Sequence, residues 1–267
     1  MAGSPVENFS YLEVGKLRVR YLVRGEGKPV ILVHGLGGSI ESWGANIDAL
    51  ASHFKVYVFD LPGFGFSDKP HIQYRIGFFT SFLHDFMETL KIERASLVGN
   101  SLGGLISLCF TCDYPSKVEK LVVECSAGLE TSARETIMKF MGEWWTMESL
   151  KSFYEFVYGE PSKVKEEILR LRLRILSHPD AKYAYKSILN MPYEWADLPE
   201  KLRKLKNPTL IVWGEKDRLI PVEYAYKLHS LLANSKLLIF KDAGHVPHAE
   251  KAEEYNREVA KFLLEDP

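Results

Sequence analysis

Residues 97–104 read LVGNSLGG. A short apolar run stops at Val98, and Ser101 stands between Gly99 and Gly103 with Gly104 behind it. The stretch is either a glycine-rich loop holding an ordinary serine, or a sharp strand-to-helix turn that lifts a nucleophile clear of the chain. The G-x-S-x-G pattern suits the second case, because a strained turn needs residues without Cβ where the backbone closes on itself. Five residues also recur by chance, so the surroundings decide.

Working outward, Ala95–Gly99 reads as a strand and Ser101–Tyr114 as the helix that follows it. Ser101 then lies at a helix N-terminus, where backbone N–H groups favour developing negative charge. Upstream, Leu17–Val23, Pro29–His34 and Lys55–Asp60 (KVYVFD) read as strands, and downstream Lys120–Cys125 (KLVVEC), Thr209–Gly214 (TLIVWG) and Lys236–Phe240 do so. Strands this apolar are covered on both faces, which predicts an α/β protein with a parallel sheet wrapped by helices. Phe78–Leu90 carries Phe82, Phe86 and Leu90 on one helical face. Ile47–Phe54, Glu223–Leu232 and Ala252–Leu264 are further helical stretches. Between Ser126 and Pro199 no strand pattern is visible. Helical patterns at Ala133–Met147, Leu150–Tyr158, Ser162–Ser177 and Ala181–Asn190 predict an all-helical insertion rich in Met, Trp, Phe and Tyr. Most of these large side chains pack core; a few, Trp144 among them, are candidates to line a substrate pocket.

An acyl-transfer serine needs a base, an acid to orient the base, and donors for the oxyanion. Residues 243–250 read AGHVPHAE, directly after KLLIF. His245 is the candidate base, with His248 as its competitor. Residues 211–221 read IVWGEKDRLIP, and Asp217 in that loop is the candidate acid, with Glu215 and Glu124 as alternatives. The resulting chain order of serine, acid and histidine matches one of the known serine hydrolase orders. The oxyanion donors are expected to be the N–H of Leu102, the residue after the nucleophile, and the N–H of Leu36 in ILVHGLGG (31–38). His34 in that loop reads as a structural residue that holds the turn.

The 267 residues suit one large α/β domain, with or without an insertion. Hydrophobic residues at 46% and charged residues at 26% give a globular profile. A net charge of -1 argues against a nucleic-acid surface or an anionic-membrane patch, and no apolar run approaches the roughly 18 residues that span a bilayer. MAGSPVENFS has no basic segment followed by an apolar one, so no secretion signal is expected. The 3 cysteines, an odd number, fit reduced thiols in a cytoplasm. Cys109 and Cys112 have C-x-x-C spacing, but they fall about two turns into the helix after Ser101 rather than at the N-terminus that would activate them. They read as buried core thiols.

Taken in order, each after a strand, these motifs resemble the α/β-hydrolase family across nearly the whole chain. FDLPGFGFSDKP (59–70) is similar to that family's turn after the fourth strand, with Pro62, Gly63 and Gly65 shaping a loop without chemistry. The resemblance implies an eight-stranded, mostly parallel sheet with a helical lid between strands six and seven. Residues 1–126 and 200–267 would form the core and 127–199 the cap. It also implies a serine that acts without metal or cofactor. Ser101 sets the chain apart from the haloalkane dehalogenase and epoxide hydrolase branches, where aspartate stands at this position.

The substrate is where alternatives stay open. GNSLGG resembles the elbow of the meta-cleavage product hydrolases, where the residue at the Asn100 position helps bind substrate. That branch also carries a lid arginine for the substrate carboxylate. EEILRLR (166–172) offers Arg172 or Arg170, either of which also reads as a solvated helix face. The branch usually has tryptophan after the catalytic histidine, and this chain has Val246 there. The leading expectation is a carboxylesterase of short-to-medium acyl esters. The alternative is a carbon–carbon bond hydrolase of 2-hydroxy-6-oxo-dienoates, and a triad-bearing ligand receptor is third. In each case the partner is a small molecule, with no nucleic acid and no membrane, and the chain is a monomer or homodimer.

Overall fold

A computed structural model describes residues 9–129 and 132–265, so most of MAGSPVENFS lies outside the described residues. Its sheet has eight strands in the spatial order β1 (Ser10–Val14), β2 (Leu17–Arg24), β4 (Lys55–Phe59), β3 (Pro29–Val33), β5 (Ala95–Asn100), β6 (Val118–Glu124), β7 (Thr209–Gly214) and β8 (Ser235–Phe240). β1 pairs antiparallel with β2, and β2 with β4; every other pairing is parallel. The wholly apolar segments are the central strands, and every residue of β5 and β7 is buried. β1 escapes a search for apolar runs because it is an edge strand with one solvated face: Ser10, Tyr11 and Glu13 of SYLEV are exposed.

Alternate residues of the strands feed two cores. Ile31, Val33, Leu97, Leu121 and Val123 face the side packed by α2 (Ile76–Thr89) and α3 (Leu102–Asp113). Val30, Leu32, Val56, Val98 and Val122 face α1 (Ile47–Ala51) and α11 (Ala252–Leu264). α3 runs between sheet and neighbouring helices and is buried over most of its length, Cys109 included. Burial pushes the Cys109 thiol up to about 12 and the Cys112 thiol up to about 11; Cys109 lies in the core as expected, while Cys112 is half-buried at its edge.

Between β6 and β7 the described chain has no strand but five α-helices, α4 (Ala133–Met141), α5 (Met147–Val157), α6 (Glu166–Leu176), α7 (Ala181–Leu189) and α8 (Leu198–Lys204), and one 3-10 turn at Pro161–Lys163. Two details depart from the sequence reading. The helix expected to reach Met147 stops at Met141, because Gly142 takes a positive φ of 56° and turns the chain away. Trp144 and Trp145 therefore sit in a connector. The short helix α8 crosses the boundary expected at 199/200. α9 (Glu223–Leu231) and α10 (Pro247–Glu250) complete the set. No described helix is long and apolar enough to cross a membrane.

β3 is flanked by β4 on one side and β5 on the other, so the connections leaving β3 and β5 diverge. Such a switch point opens a crevice at the carboxyl ends of the strands. The loops after β3 and β5 carry Leu36 and Ser101.

Candidate active site

Ser101 is the single residue between β5 and α3, with φ 55° and ψ −114°. For a non-glycine residue this conformation costs of order 1–3 kcal/mol and persists only where its surroundings impose it. They do so here. The Ser101 N–H donates to the Glu124 carbonyl at 2.9 Å, and its own carbonyl accepts from the Leu105 and Ala127 N–H groups, each at 3.1 Å. A Cβ on Gly99 would stand 2.3 Å from the Gly103 carbonyl oxygen, and one on Gly103 would stand 2.1 Å from that of Val33. The glycines of the opening motif are thus required by close backbone approach.

His245 follows Gly244 on the loop after β8, and Asp217 lies on the loop after β7. His245 Nδ1 and Asp217 Oδ2 are 2.8 Å apart. The other carboxylate oxygen, Oδ1, accepts from the Leu219 and Ile220 N–H groups, both at 2.9 Å. These bonds hold the carboxylate edge toward the imidazole. Burial pushes the His245 pKa down, but the Asp217 charge and hydrogen bond, helped by Glu124 and Glu250, outweigh it and hold the imidazole above its ordinary value.

The alternatives raised by sequence pair with each other. His248 Nδ1 lies 2.8 Å from Glu124 Oε2, and its backbone N–H donates to Glu124 Oε1 at 2.8 Å. The His248 ring packs on Trp43 at 4.4 Å. Glu215 is exposed. His34 is fully buried: its Nε2 accepts from the Leu61 N–H at 2.9 Å and its Nδ1 donates to the Gly35 carbonyl at 2.7 Å. Burial lowers its pKa to about 3, so it is a neutral structural clamp. Cys125, Asp217 and His245 bring ligand-type atoms within 4.8 Å of one another. The thiol, however, is held well above its ordinary pKa by burial, and the acid and imidazole are already bonded to each other, so the trio is a packing unit rather than a coordination set.

Two cavities meet at Ser101, of about 130 and about 320 Å³, and both are lined by Leu36, Ser101, Ile137 and Leu219. The Gly38 N–H closes the β3 loop onto the Gly35 carbonyl at 3.0 Å. Leu102 is the first residue of α3, where a helical N–H has no intrahelical acceptor. The smaller cavity is the more polar of the two and takes in Asn100, Arg172, His245 and Val246, together with Glu41 and Ser42. Asn100 Nδ2 also donates to the His245 carbonyl at 3.2 Å. The larger cavity is walled mainly by aliphatic side chains and Trp195. Trp144, expected from sequence as a substrate residue, lines neither cavity. Carried out on the connector after Gly142, it packs edge-on against Tyr185 at 5.7 Å, and Tyr185 takes the place on the wall.

Arg172 is 6% exposed. Its Nε donates to the Tyr154 hydroxyl at 2.9 Å, Nη1 to Ser39 Oγ at 2.8 Å and Nη2 to Ser42 Oγ at 2.7 Å. Among the described residues no carboxylate lies within ion-pair distance of it. The carboxylate linked to it through Ser39 is Glu41, whose two oxygens already accept from Arg20 at 2.8 and 2.7 Å. Arg170, the other candidate, is exposed and pairs with Glu166 at 2.6 Å, one turn earlier on the helix. Sequence reasoning missed Ser39, Ser42 and Tyr154. The two serines lie more than 100 positions from Arg172, and no motif marks them.

Residues 28–153 and 177–252 match the family model described as alpha/beta hydrolase fold. The chain belongs to this family. It is 32% identical over 260 residues to a 2-hydroxy-6-oxo-6-(2'-aminophenyl)hexa-2,4-dienoic acid hydrolase of Metapseudomonas resinovorans, covering 95% of this chain and 90% of that one. It is 30% identical over 249 residues to a 2-hydroxy-6-oxo-2,4-heptadienoate hydrolase of Pseudomonas putida, covering 90% of each. Among solved structures it is similar to a meta-cleavage product hydrolase from Pseudomonas fluorescens IP01, with a TM-score of 0.88 and 28% identity over 95% of this chain and 97% of that one. The chain is thus a hydrolase of this fold. These relatives are named for 2-hydroxy-6-oxo-dienoates, the second of the substrate classes expected from sequence, and not for the carboxylic esters that stood first.

Proposed function

We propose that this protein hydrolyses the carbon–carbon bond of 2-hydroxy-6-oxo-dienoates, with Ser101 as nucleophile, His245 as base, Asp217 as its orienting acid, and the N–H groups of Leu36 and Leu102 as oxyanion donors. The observation that carries the substrate class is Arg172: a buried cation without a carboxylate partner, on the wall of the polar cavity beside Ser101. A buried charge is costly unless paired, and a substrate carboxylate supplies the pair. The apolar cavity on the other side of Ser101 takes the acyl substituent. The helices of residues 127–199 act as the cap that closes both cavities.

The chemistry follows from that placement. Cleaving the C5–C6 bond of such a substrate leaves an electron pair on C5, which is tolerable only if it delocalises onto the C2 oxygen. A proton must therefore move from the 2-hydroxyl to C5 first, giving the 2-oxo form. Ser101 then adds to the C6 carbonyl while His245 takes its proton, and the oxyanion sits against Leu36 and Leu102. Collapse breaks C5–C6, the electron pair passes to the C2 oxygen, and that oxygen takes the proton from His245; the neutral His245 then takes a proton from water as it adds to the acyl group, and returns it to the Ser101 oxygen as the acid leaves. Arg172, holding the C1 carboxylate, lies at the end of the substrate where that charge arrives. Val246, in place of a tryptophan, leaves the polar cavity walled by an aliphatic side chain at that point.

The test is kcat/KM for 2-hydroxy-6-oxo-6-phenylhexa-2,4-dienoate against p-nitrophenyl butyrate, with Ser101→Ala as control. The dienoate is expected to win by at least tenfold. A clear preference for the ester would restore the carboxylesterase reading, and ligand-dependent melting shifts without turnover of either would favour the receptor.

A further inference from the structure

Among the buried carboxylates of the site region, Glu250 has no part in the mechanism and no histidine partner. Glu250, on α10, is 6% exposed. Its Oε1 accepts from the Gly244 N–H at 2.8 Å, next to His245 in the chain. Its Oε2 accepts from the Gly159 N–H at 2.8 Å and, more weakly, from that of Glu160 at 3.4 Å, just past the end of α5. The same junction is tied by backbone: the His245 N–H donates to the Val157 carbonyl at 2.7 Å. Nothing separates the two segments. A Cβ on Gly244 would stand 2.2 Å from the Val157 carbonyl oxygen, and one on Gly159 would stand 2.4 Å from that of Asp242.

We infer that Glu250 is a positioning residue: it locks the His245 loop to the C-terminal end of α5, so that the placement of His245 over Ser101 depends on the seating of the helical segment. Burial pushes the Glu250 pKa up, and the N–H groups of Gly244, Gly159 and Glu160 oppose that by favouring the carboxylate. Both oxygens accept from N–H groups, so a carboxamide of the same size would turn its own N–H₂ toward one of those donors and break one arm of the lock. Lys163 strengthens the junction by donating to the Glu250 carbonyl at 3.0 Å, and Lys251 lies 3.4 Å from Glu160. Asp217, Glu124 and Glu250 favour the imidazolium that forms during turnover, against the Arg172 cation on the wall of the same cavity.

Two variants separate position from charge. Glu250→Gln breaks one arm and removes the negative charge. Gly159→Ala wedges the junction apart by its Cβ and leaves every charge in place. The readouts are kcat and KM for the phenyl dienoate, the pH dependence of kcat/KM, melting temperature, and the rate at which a fluorophosphonate labels Ser101. Labelling reports the activated serine whatever the physiological substrate is, so it remains informative if the dienoate reading fails. Both variants are expected to lower kcat and labelling at least tenfold, with KM within threefold, because the carboxylate-binding wall is untouched. The acid limb of the pH profile should move to lower pH in Glu250→Gln and stay in place in Gly159→Ala. Labelling within twofold of the parent in either folded variant overturns the inference. So does an unmoved acid limb in Glu250→Gln with activity falling only in step with the folded fraction. If Glu250→Gln does not fold, the labelling rate of Gly159→Ala decides alone.

Discussion

Replacing Arg172 by methionine tests the substrate assignment most directly, because the structure predicts opposite effects on activity and stability. In the free protein Arg172 is a buried cation satisfied only by three hydroxyls, those of Tyr154, Ser39 and Ser42. Methionine keeps most of the side-chain bulk and removes a charge that burial penalises. Ser39 retains its bond to Glu41 at 2.6 Å, and the other two hydroxyls open onto or beside a polar cavity that admits water. Stability should therefore hold or rise slightly, as when unpaired buried charges are replaced by apolar groups. With substrate bound, the same change removes the partner of a desolvated carboxylate. Two charge-assisted hydrogen bonds at roughly 1.5–2 kcal/mol each amount to about 3–4 kcal/mol. At about 1.4 kcal/mol per decade, that is a 100- to 1000-fold loss in kcat/KM. The assay is the decay of the dienoate chromophore, run beside p-nitrophenyl butyrate and a thermal melt. The expected pattern is a dienoate-specific loss, an ester rate within threefold of the parent, and an unchanged or higher melting temperature. Equal losses on both substrates would show that Arg172 shapes the cavity rather than reading a carboxylate, and a retained dienoate rate would remove it from binding.

His245 must be neutral to accept the Ser101 proton, and its folded pKa is raised because Asp217, Glu124 and Glu250 outweigh burial. The pH profile of kcat/KM should thus reach half its plateau above pH 6.5 and fall toward acid; a midpoint below 6.5 would contradict the assignment. Asp217→Asn should lower kcat by about four orders of magnitude through the wrong imidazole tautomer, as in other serine hydrolases, and near-normal turnover in single-turnover assays would move the acid elsewhere. His34 carries the opposite sign. Its folded pKa is lowered to about 3 by burial, so its contribution to stability is present above pH 6.5 and drains as the unfolded chain binds a proton between 6.5 and 3. Denaturant titrations across that range should show a flatter acid decline in His34→Leu, alongside a loss of about 1–3 kcal/mol at neutral pH from the Leu61 N–H left without its acceptor.

What the sequence makes legible here is whatever backbone sterics impose locally. The elbow needs glycine at 99 and 103 because carbonyl oxygens lie within 2.3 Å of where a Cβ would go, and that demand is written into five consecutive residues. The central strands are legible because burial on both faces leaves only apolar residues in them, as β5 and β7 illustrate. β1 is not, because an edge strand with a solvated face resembles a loop in composition. Trp144 misleads for a related reason. Its aromatic character suits a pocket wall, but the positive φ at Gly142 redirects the chain before it, and nothing in the helical periodicity reveals that.

The site itself divides along the same line. Two histidines three residues apart, and three candidate acids, Asp217, Glu215 and Glu124, allow six pairings on sequence alone. Three-dimensional adjacency resolves them into two. Asp217 reaches His245 because its loop leaves β7, the neighbour of β8, whose following loop carries the histidine. Glu124 closes the next strand inward, β6, and reaches His248, which the first residues of α10 carry back over the sheet. Arg172 is the extreme case. Taken by itself, EEILRLR is an ordinary charged helix, and Arg170 behaves as one. Arg172 differs only because the helix turns its face onto Ser39 and Ser42, whose own turn is held by Arg20 through Glu41. A buried cation of this kind is recognised by the partners it lacks, and that property exists only once the chain has folded.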